Sequence, residues 1–301
     1  MILLEVTNKI VQDTLTCHIN RALNDQRPRP VCLTFADFDG VLYRISNPSD
    51  DVTKLNVSIA IKFFQELVNH GGQSILIQQY GNKFLAHADP GYDITIRVDL
   101  EKSSIPDDWE KSIVEKVASL KRNCIGAIFE TYFEFQKFQK DEIKSSVIHY
   151  RDDETMYLEA RNDRVTVVFS TIFKNEDDIV LGKVFLQSYQ EAGRKRANAP
   201  QVIFTNDPPE NIEEKGALVG KDVRYITFVL FPRHTNDQTK DNTINLIHQF
   251  RNYLHYHIKC SKIYIHSRMR TKTHDFLEEL NKAKPEKNSK SVTKRYQPIS
   301  H

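Results

Sequence analysis

HTNDQTKDNTINLIHQFRNYLHYHIKCSKIYIHSRMRTKTHDFLEELNKAK, residues 234–284, holds neither a glycine nor a proline. Those two residues are the worst helix formers, so their absence predicts one helix over the whole stretch, about 75 Å long at 1.5 Å per residue. That exceeds the width of a domain of this chain, and part of such a helix must overhang its own fold. The apolar residues Ile247, Leu254, Ile258, Ile265, Met269, Phe276 and Leu280 step by seven and four in alternation. An eleven-residue repeat, near 3.67 residues per turn, keeps a stripe almost parallel to the helix axis. Tyr253, Tyr256, Cys260 and Ile263 line an opposing face. One apolar face can cover the chain's own sheet; the other needs a partner.

Working outward, the 301 residues are 40% hydrophobic and 27% charged, the composition of one or two compact domains. A formal net charge of +2 is too small to name a partner by bulk electrostatics. Lys282, Lys284, Lys287, Lys290, Lys294 and Arg295 collect at the C-terminus, as in a solvated, disordered tail. Cys17, Cys32, Cys124 and Cys260 form no CxxC pair, which points to a reducing compartment rather than a disulfide or zinc framework. Glu5, Lys9 and Asp13 interrupt any signal-peptide core, and no window approaches a membrane span. The expectation is a soluble cytosolic protein without membrane insertion.

Ile2, Leu3, Val6, Ile10, Leu15 and Ile19 recur at helical spacing, and Arg27-Pro28-Arg29-Pro30 ends that helix. Strand-like runs follow at 31–36, 41–45 and 54–61, then a helix over 63–80 broken at Gly71-Gly72, a strand at 92–100 and a helical stretch from Pro106 to about 140. The second half repeats this grammar. Residues 149–151, 156–161, 164–173 and 179–189 read as an antiparallel meander. Residues 193–198 and 206–220 read as loops, and 225–231 as a strand feeding the last helix. The expected fold class is α+β: two tandem modules of mainly antiparallel sheet with flanking helices, plus a long C-terminal helix. The expected boundaries are 1–120, 121–235, 236–284 for the helix and 285–301 for the tail.

Asp37-Phe38-Asp39-Gly40 at the end of an apolar strand matches the first motif of haloacid-dehalogenase-like phosphohydrolases. There one Asp attacks phosphorus, the other is the acid/base, and Mg²⁺ offsets their charge. That fold needs βαβ units, whereas these runs are joined by hairpin-sized turns, so Asp39-Gly40 reads better as a turn. His255 and His257, two apart on a helix, point about 200° apart and cannot chelate one ion, and His266 completes no set. Asn56-Val57-Ser58 spells a glycosylation acceptor that has no meaning in a cytosolic chain. No phosphate loop, activated serine or paired acid emerges, so neither catalysis nor a cofactor is expected. Arg251, Lys259, Lys262 and Arg270 fall on one flank of the last helix between its apolar faces. An apolar seam bordered by positive charge suits an acidic protein surface such as an actin filament. Nucleic acid would want a denser patch with stacking aromatics and a pI above about 8.2.

Several longer blocks carry more information than these motifs. They are residues 34–43 (TFADFDGVLY), 120–124 (LKRNC), 147–157 (VIHYRDDETMY), 164–171 (RVTVVFST), 225–235 (YITFVLFPRHT), 241–248 (DNTINLIH) and 253–262 (YLHYHIKCSK). Together they resemble, from the first residue to about 284, the subunit 2 family of the actin-related protein 2/3 complex, its roughly 34-kDa component. Loops 24–30, 138–146 and 190–220 are less typical, and the tail carries no family signal. The resemblance implies two related α/β modules and a C-terminal helix packed on the equivalent helix of the 20-kDa subunit. It implies a non-catalytic core of a seven-subunit complex that touches the side of a mother filament and nucleates a branch, with nucleotide held by the two actin-related subunits. It places the protein in the cytoplasm, the cytoskeleton and cell projections such as lamellipodia. On that reading, the seven-residue apolar stripe is the partner-helix seam. Arg251, Lys259, Lys262 and Arg270 are then the candidates for filament contact.

Overall fold

The computed structural model describes residues 5–283 except 38, 50, 139–142, 152, 174, 195–198, 214–216, 218 and 221. The expected tail at 285–301, the opening Ile2 and Leu3, and Phe38 of the acidic motif lie outside the described residues. The described residues up to His257 form one compact unit and those from Ile258 a second.

Helix α1 (Lys9–Leu23) starts where the Asn8 side chain accepts from the Ile10 and Val11 amides, and it buries Val11, Leu15 and Ile19. Ile10, expected in that stripe, is exposed, and Val6 precedes the helix. Strands β1 (Cys32–Ala36), β2 (Leu42–Ser46), β3 (Lys54–Ala60) and β4 (Ile94–Asp99) form a four-stranded antiparallel sheet in that order. The β1–β2 turn is the one expected: the Asp37 carboxylate accepts from the amides of Asp39 and Val41, and Gly40 takes φ 73°. On β3, Leu55, Val57 and Ile59 face the core. Asn56 and Ser58, on the other face, donate to the Asp89 carboxylate. The Asn-x-Ser motif is therefore buried, with Asn56 4% exposed.

Between β3 and β4 the expected helix breaks at Gly71, φ 79°, into α2 (Phe64–Asn69) and α3 (Gly72–Tyr80). A Cβ at Gly72 would lie 3.0 Å from Leu67 Cγ, so the bend needs both glycines. The stretch expected to be helical from Pro106 starts at Glu110 with a π-helical segment. It passes through α4 (Lys116–Ala118) and re-forms after Ser119 as α5 (Leu120–Lys137). Residues 120–129 of α5 are buried without exception, charged ones included.

The second sheet is five-stranded and antiparallel in the order β5-β6-β7-β9-β8. Its strands are β5 (Lys144–Arg151), β6 (Glu154–Ala160), β7 (Val165–Ile172), β8 (Gln201–Thr205) and β9 (Val223–Leu230). Two readings fail here. Residues 179–189, expected as a strand, belong to α6 (Glu176–Arg194), whose first turn holds Glu176, Asp177 and Asp178 at the positive end of the helix dipole. Gly182 and Leu186, four apart, are buried, a period that the β-branched Ile179, Val180 and Val184 obscured. Residues 201–205, in no expected element, form β8, and the expected 206–220 loop holds the short α7 (Glu210–Glu213).

After α8 (Pro232–Thr235), the long helix α9 runs unbroken over Lys240–Lys282, 43 residues. It starts four residues later than expected because the Asn236 side chain turns the chain first, accepting from the Gln238 and Thr239 amides. Arg122 on α5 ties that start down, donating to Asp241 Oδ1 at 2.7 Å and to Asn245 Oδ1 at 2.7 Å. Phe250 then fills the space over the second sheet, edge-on to Phe228 at 4.8 Å and to Tyr189 at 5.4 Å. The half-buried His248 lines a small pocket with Ile125, Phe129, Met156 and Phe169, and its Nδ1 is out of contact with solvent. Burial, with the nearby charges of Lys121 and Arg122, pushes its pKa down to about 3.

Phe250→Ala will cost about 3–5 kcal/mol of unfolding free energy, read from urea denaturation, because it opens a cavity between α9 and the sheet. His248 gives a second test. Its folded pKa lies below the unfolded 6.5, so the unfolded chain binds more protons between about pH 3 and 6.5, and stability falls as pH falls through that window. From pH 7 to pH 5 this group alone should remove roughly 2 kcal/mol, and His248→Leu should flatten that part of the profile. An unchanged slope in the variant would refute it.

Candidate functional site

The acidic motif of the first hairpin and two side chains of the last helix meet, within the first unit, side chains from α5 and the β5–β6 hairpin. Asp37 and Asp39 sit on the β1–β2 turn, Lys121 on α5, Arg151 and Glu154 at the β5–β6 hairpin, and Arg251 and His255 on α9. Lys121 Nζ donates to Asp37 Oδ2 at 2.6 Å and also to Asp39. Asp39 Oδ1 meets Arg151 and, at 3.1 Å, Arg251 Nη1. Arg251 Nε also donates to Glu154 Oε2, and His255 Nε2 lies 3.3 Å from Glu154 Oε1. Three carboxylates thus face Lys121, Arg151 and Arg251, and the cluster is balanced in charge.

Burial sets the electrostatics. It lowers the Lys121 pKa, with the Asp37 charge pulling the other way. Burial and then the Arg251 charge push Arg151 down to about 10. Burial also pushes the Glu154 carboxyl up, but the His255 hydrogen bond and the Arg251 charge outweigh it, and the net shift is downward. Glu154 is held as an anion by partners that cannot leave without stranding a charge.

This arrangement is unsuited to phosphoryl transfer. One Asp37 oxygen is taken by two backbone amides and the other by Lys121, while Asp39 is enclosed by Lys121, Arg151 and Arg251. Neither oxygen pair is open to a metal or to a phosphorus. Among the described residues no group of His, Cys, Asp and Glu is placed to hold a metal ion. His255 is engaged by Glu154, His257 packs tilted against Phe185 with ring centres 5.0 Å apart, and His266 is exposed. Among the described residues no helix is long and apolar enough to cross a membrane.

The apolar stripe of α9 divides along its length. Ile247 and Leu254 are each 1% exposed and already covered by this chain, so they are not available to a partner helix; Ile258 is buried too. Ile265, Met269, Phe276 and Leu280 are 44%, 60%, 64% and 47% exposed. Arg251, expected at a filament surface, belongs instead to the ion cluster. Lys259 and Arg270 are exposed and Lys262 is half-buried. On the opposing face, Cys260 and Ile263 are exposed, Tyr256 is half-buried, and Tyr253 borders an apolar groove with Phe185, Tyr189 and Phe250. The period of the stripe gives its alignment with the axis; it says nothing of where the chain's own cover stops. Lys121, Arg151 and Glu154 were not singled out by sequence. The one available signal was a pair of adjacent carboxylates on a tight turn, which demands cations without saying from where.

The profile of a family described as "Arp2/3 complex, 34 kD subunit p34-Arc" matches residues 57–287. The actin-related protein 2/3 complex subunit 2 of Schizosaccharomyces pombe is 38% identical over 307 aligned residues, covering 95% of each chain. That of Dictyostelium discoideum is 37% identical over 289 residues, covering 95% of this chain and 94% of its own. Similarity thus runs along nearly the whole length, and the chain belongs to the p34-Arc family of Arp2/3 complex subunits.

Proposed function

We propose that this chain is a non-catalytic scaffold of the Arp2/3 complex. It pairs through the distal part of α9 with the 20-kDa subunit and contacts the mother filament when a branch is nucleated. The observation that carries this reading is the exposed row Ile265, Met269, Phe276 and Leu280, four large apolar residues on one line of a continuous helix. Such a row is costly in water. Burying a large apolar side chain is worth roughly 1.5–3 kcal/mol, and these four are about half covered already. Association entropy removes part of the gain. Ile258, though buried, sits in the same line and supports the packing at the head of the seam. Lys259, Lys262 and Arg270 flank it and are the candidates for contact with the acidic filament. The cytoplasmic cytoskeleton, lamellipodia included, is where such a complex would work.

Two experiments separate the parts of the proposal. On co-expression with the 20-kDa subunit, the unaltered chain should elute as a one-to-one heterodimer and Ile265→Asp should not; a stable heterodimer from Ile265→Asp would reject the seam. In the assembled complex, Lys259→Glu with Arg270→Glu should weaken co-sedimentation with filaments while all subunits still co-purify. The affinity of the unaltered complex should fall with added salt. Unchanged branching by the double variant would mark that flank as ordinary surface.

A further inference from the structure

The two sheets present four edges, and three of them are guarded. At β4, Phe84 bridges to Ile96 and the Leu85 amide donates to the Thr95 carbonyl. At β8, Gln190 of α6 donates to the Val202 carbonyl at 2.7 Å. Strand β5 carries Lys144, His149 and Arg151, and its register shifts between Ile148 and Arg151. Charge, bulges and cover are the usual means of blocking edge-to-edge pairing.

Strand β1 has none of these. Cys32–Ala36 contains no charge and no proline, and its register with β2 is continuous. The Asp37 amide donates to the Val41 carbonyl and the Asn47 amide to the Val31 carbonyl, so by the antiparallel alternation Leu33 and Phe35 also bond inward. Cys32, Thr34 and Ala36 therefore turn their N–H and C=O groups away from β2, and no hydrogen bond joins them to any described residue. The core face is unfinished at the same edge. Leu33 is 41% exposed beside its buried cross-strand neighbour Ile45, and Phe35 stacks on Tyr43 at 5.2 Å with its outer side uncovered by any further strand.

We propose that β1 is a docking edge for an extended, acidic segment of another polypeptide, which adds a strand to the first sheet. The backbone row demands an extended chain, and the half-covered Leu33 and Phe35 ask for an apolar residue at every second position. Charge names the rest of the occupant. Arg27 and Arg29 are exposed just upstream of β1, and Arg44 stands opposite Thr34 on the outer face. No carboxylate among the described residues pairs with any of the three. Acidic side chains alternating with apolar ones would meet the arginines on one face while the apolar ones complete the core edge on the other.

The probe is a nine-residue capped peptide of alternating Val and Glu, with a control in which Lys replaces Glu, titrated onto the full chain. The acidic peptide should slow amide exchange at Cys32, Thr34 and Ala36 by about tenfold or more, and the Lys peptide should not. Thr34→Pro removes an outward amide without touching the β2 ladder and should abolish binding. Should that variant fail to fold, the surface combination Arg27→Glu, Arg29→Glu and Arg44→Glu should weaken the acidic peptide about tenfold and favour the Lys peptide. Absent protection, equal binding of both peptides, or undiminished binding to these variants would overturn the proposal. Protection of the same amides that grows with protein concentration alone would replace the acidic partner with a second copy of this chain.

Discussion

Asp37, Asp39 and Glu154 are buried together with Lys121, Arg151 and Arg251, and no member of this set can be removed singly without stranding a charge in the interior. Breaking one side of a buried pair costs about 3–5 kcal/mol, whereas the intact set need contribute little net stability. What it contributes is registry. Its members come from the first hairpin, from α5, from the hairpin that opens the second sheet, and from α9. Four segments remote in sequence are brought into one position relative to each other by opposite charges that have nowhere else to go. The first turns of α9 are fixed this way on one side and by Phe250 against Phe228 on the other.

The same cluster occupies the carboxylate oxygens that an acidic motif of this kind would need for phosphoryl transfer. A nucleophilic carboxylate needs a free oxygen, and backbone amides and fixed cations take those of Asp37 and Asp39. A local match to a catalytic motif is a statement about a strand and a turn. Whether chemistry follows depends on which distant side chains close over it.

Much of the architecture was legible in the residues. The turn at Asp39-Gly40, the break at Gly71-Gly72, the antiparallel pairing of each sheet and the uninterrupted last helix all follow from local rules of spacing, glycine conformation and helix breaking. Two kinds of information were not local. Residues 179–189 carry β-branched side chains and an aromatic at strand-like density, yet an acidic first turn and a helical burial period win, because α6 is covered on one side only. The other was cover: the stripe of α9 is chemically uniform, but Ile247 and Leu254 meet the chain's own core and Met269 and Phe276 meet water. No periodicity encodes that difference, because it is a property of what the rest of the chain can reach. The ion cluster was hidden for the same reason, its closing contacts being 82 to 212 residues apart in sequence.

The exposed half of α9 also bears on how much of this protein a cell can keep. A chain that leaves Ile265, Met269, Phe276 and Leu280 in water displays the kind of surface that chaperones retain and proteases clear. On the proposed pairing, any copy made in excess of its partner would carry its own mark of being an orphan, and assembly would erase the mark. Stoichiometry would then need no separate sensor: the amount of the complex would be set by its scarcest member, and surplus chain would be removed through the apolar row it leaves uncovered.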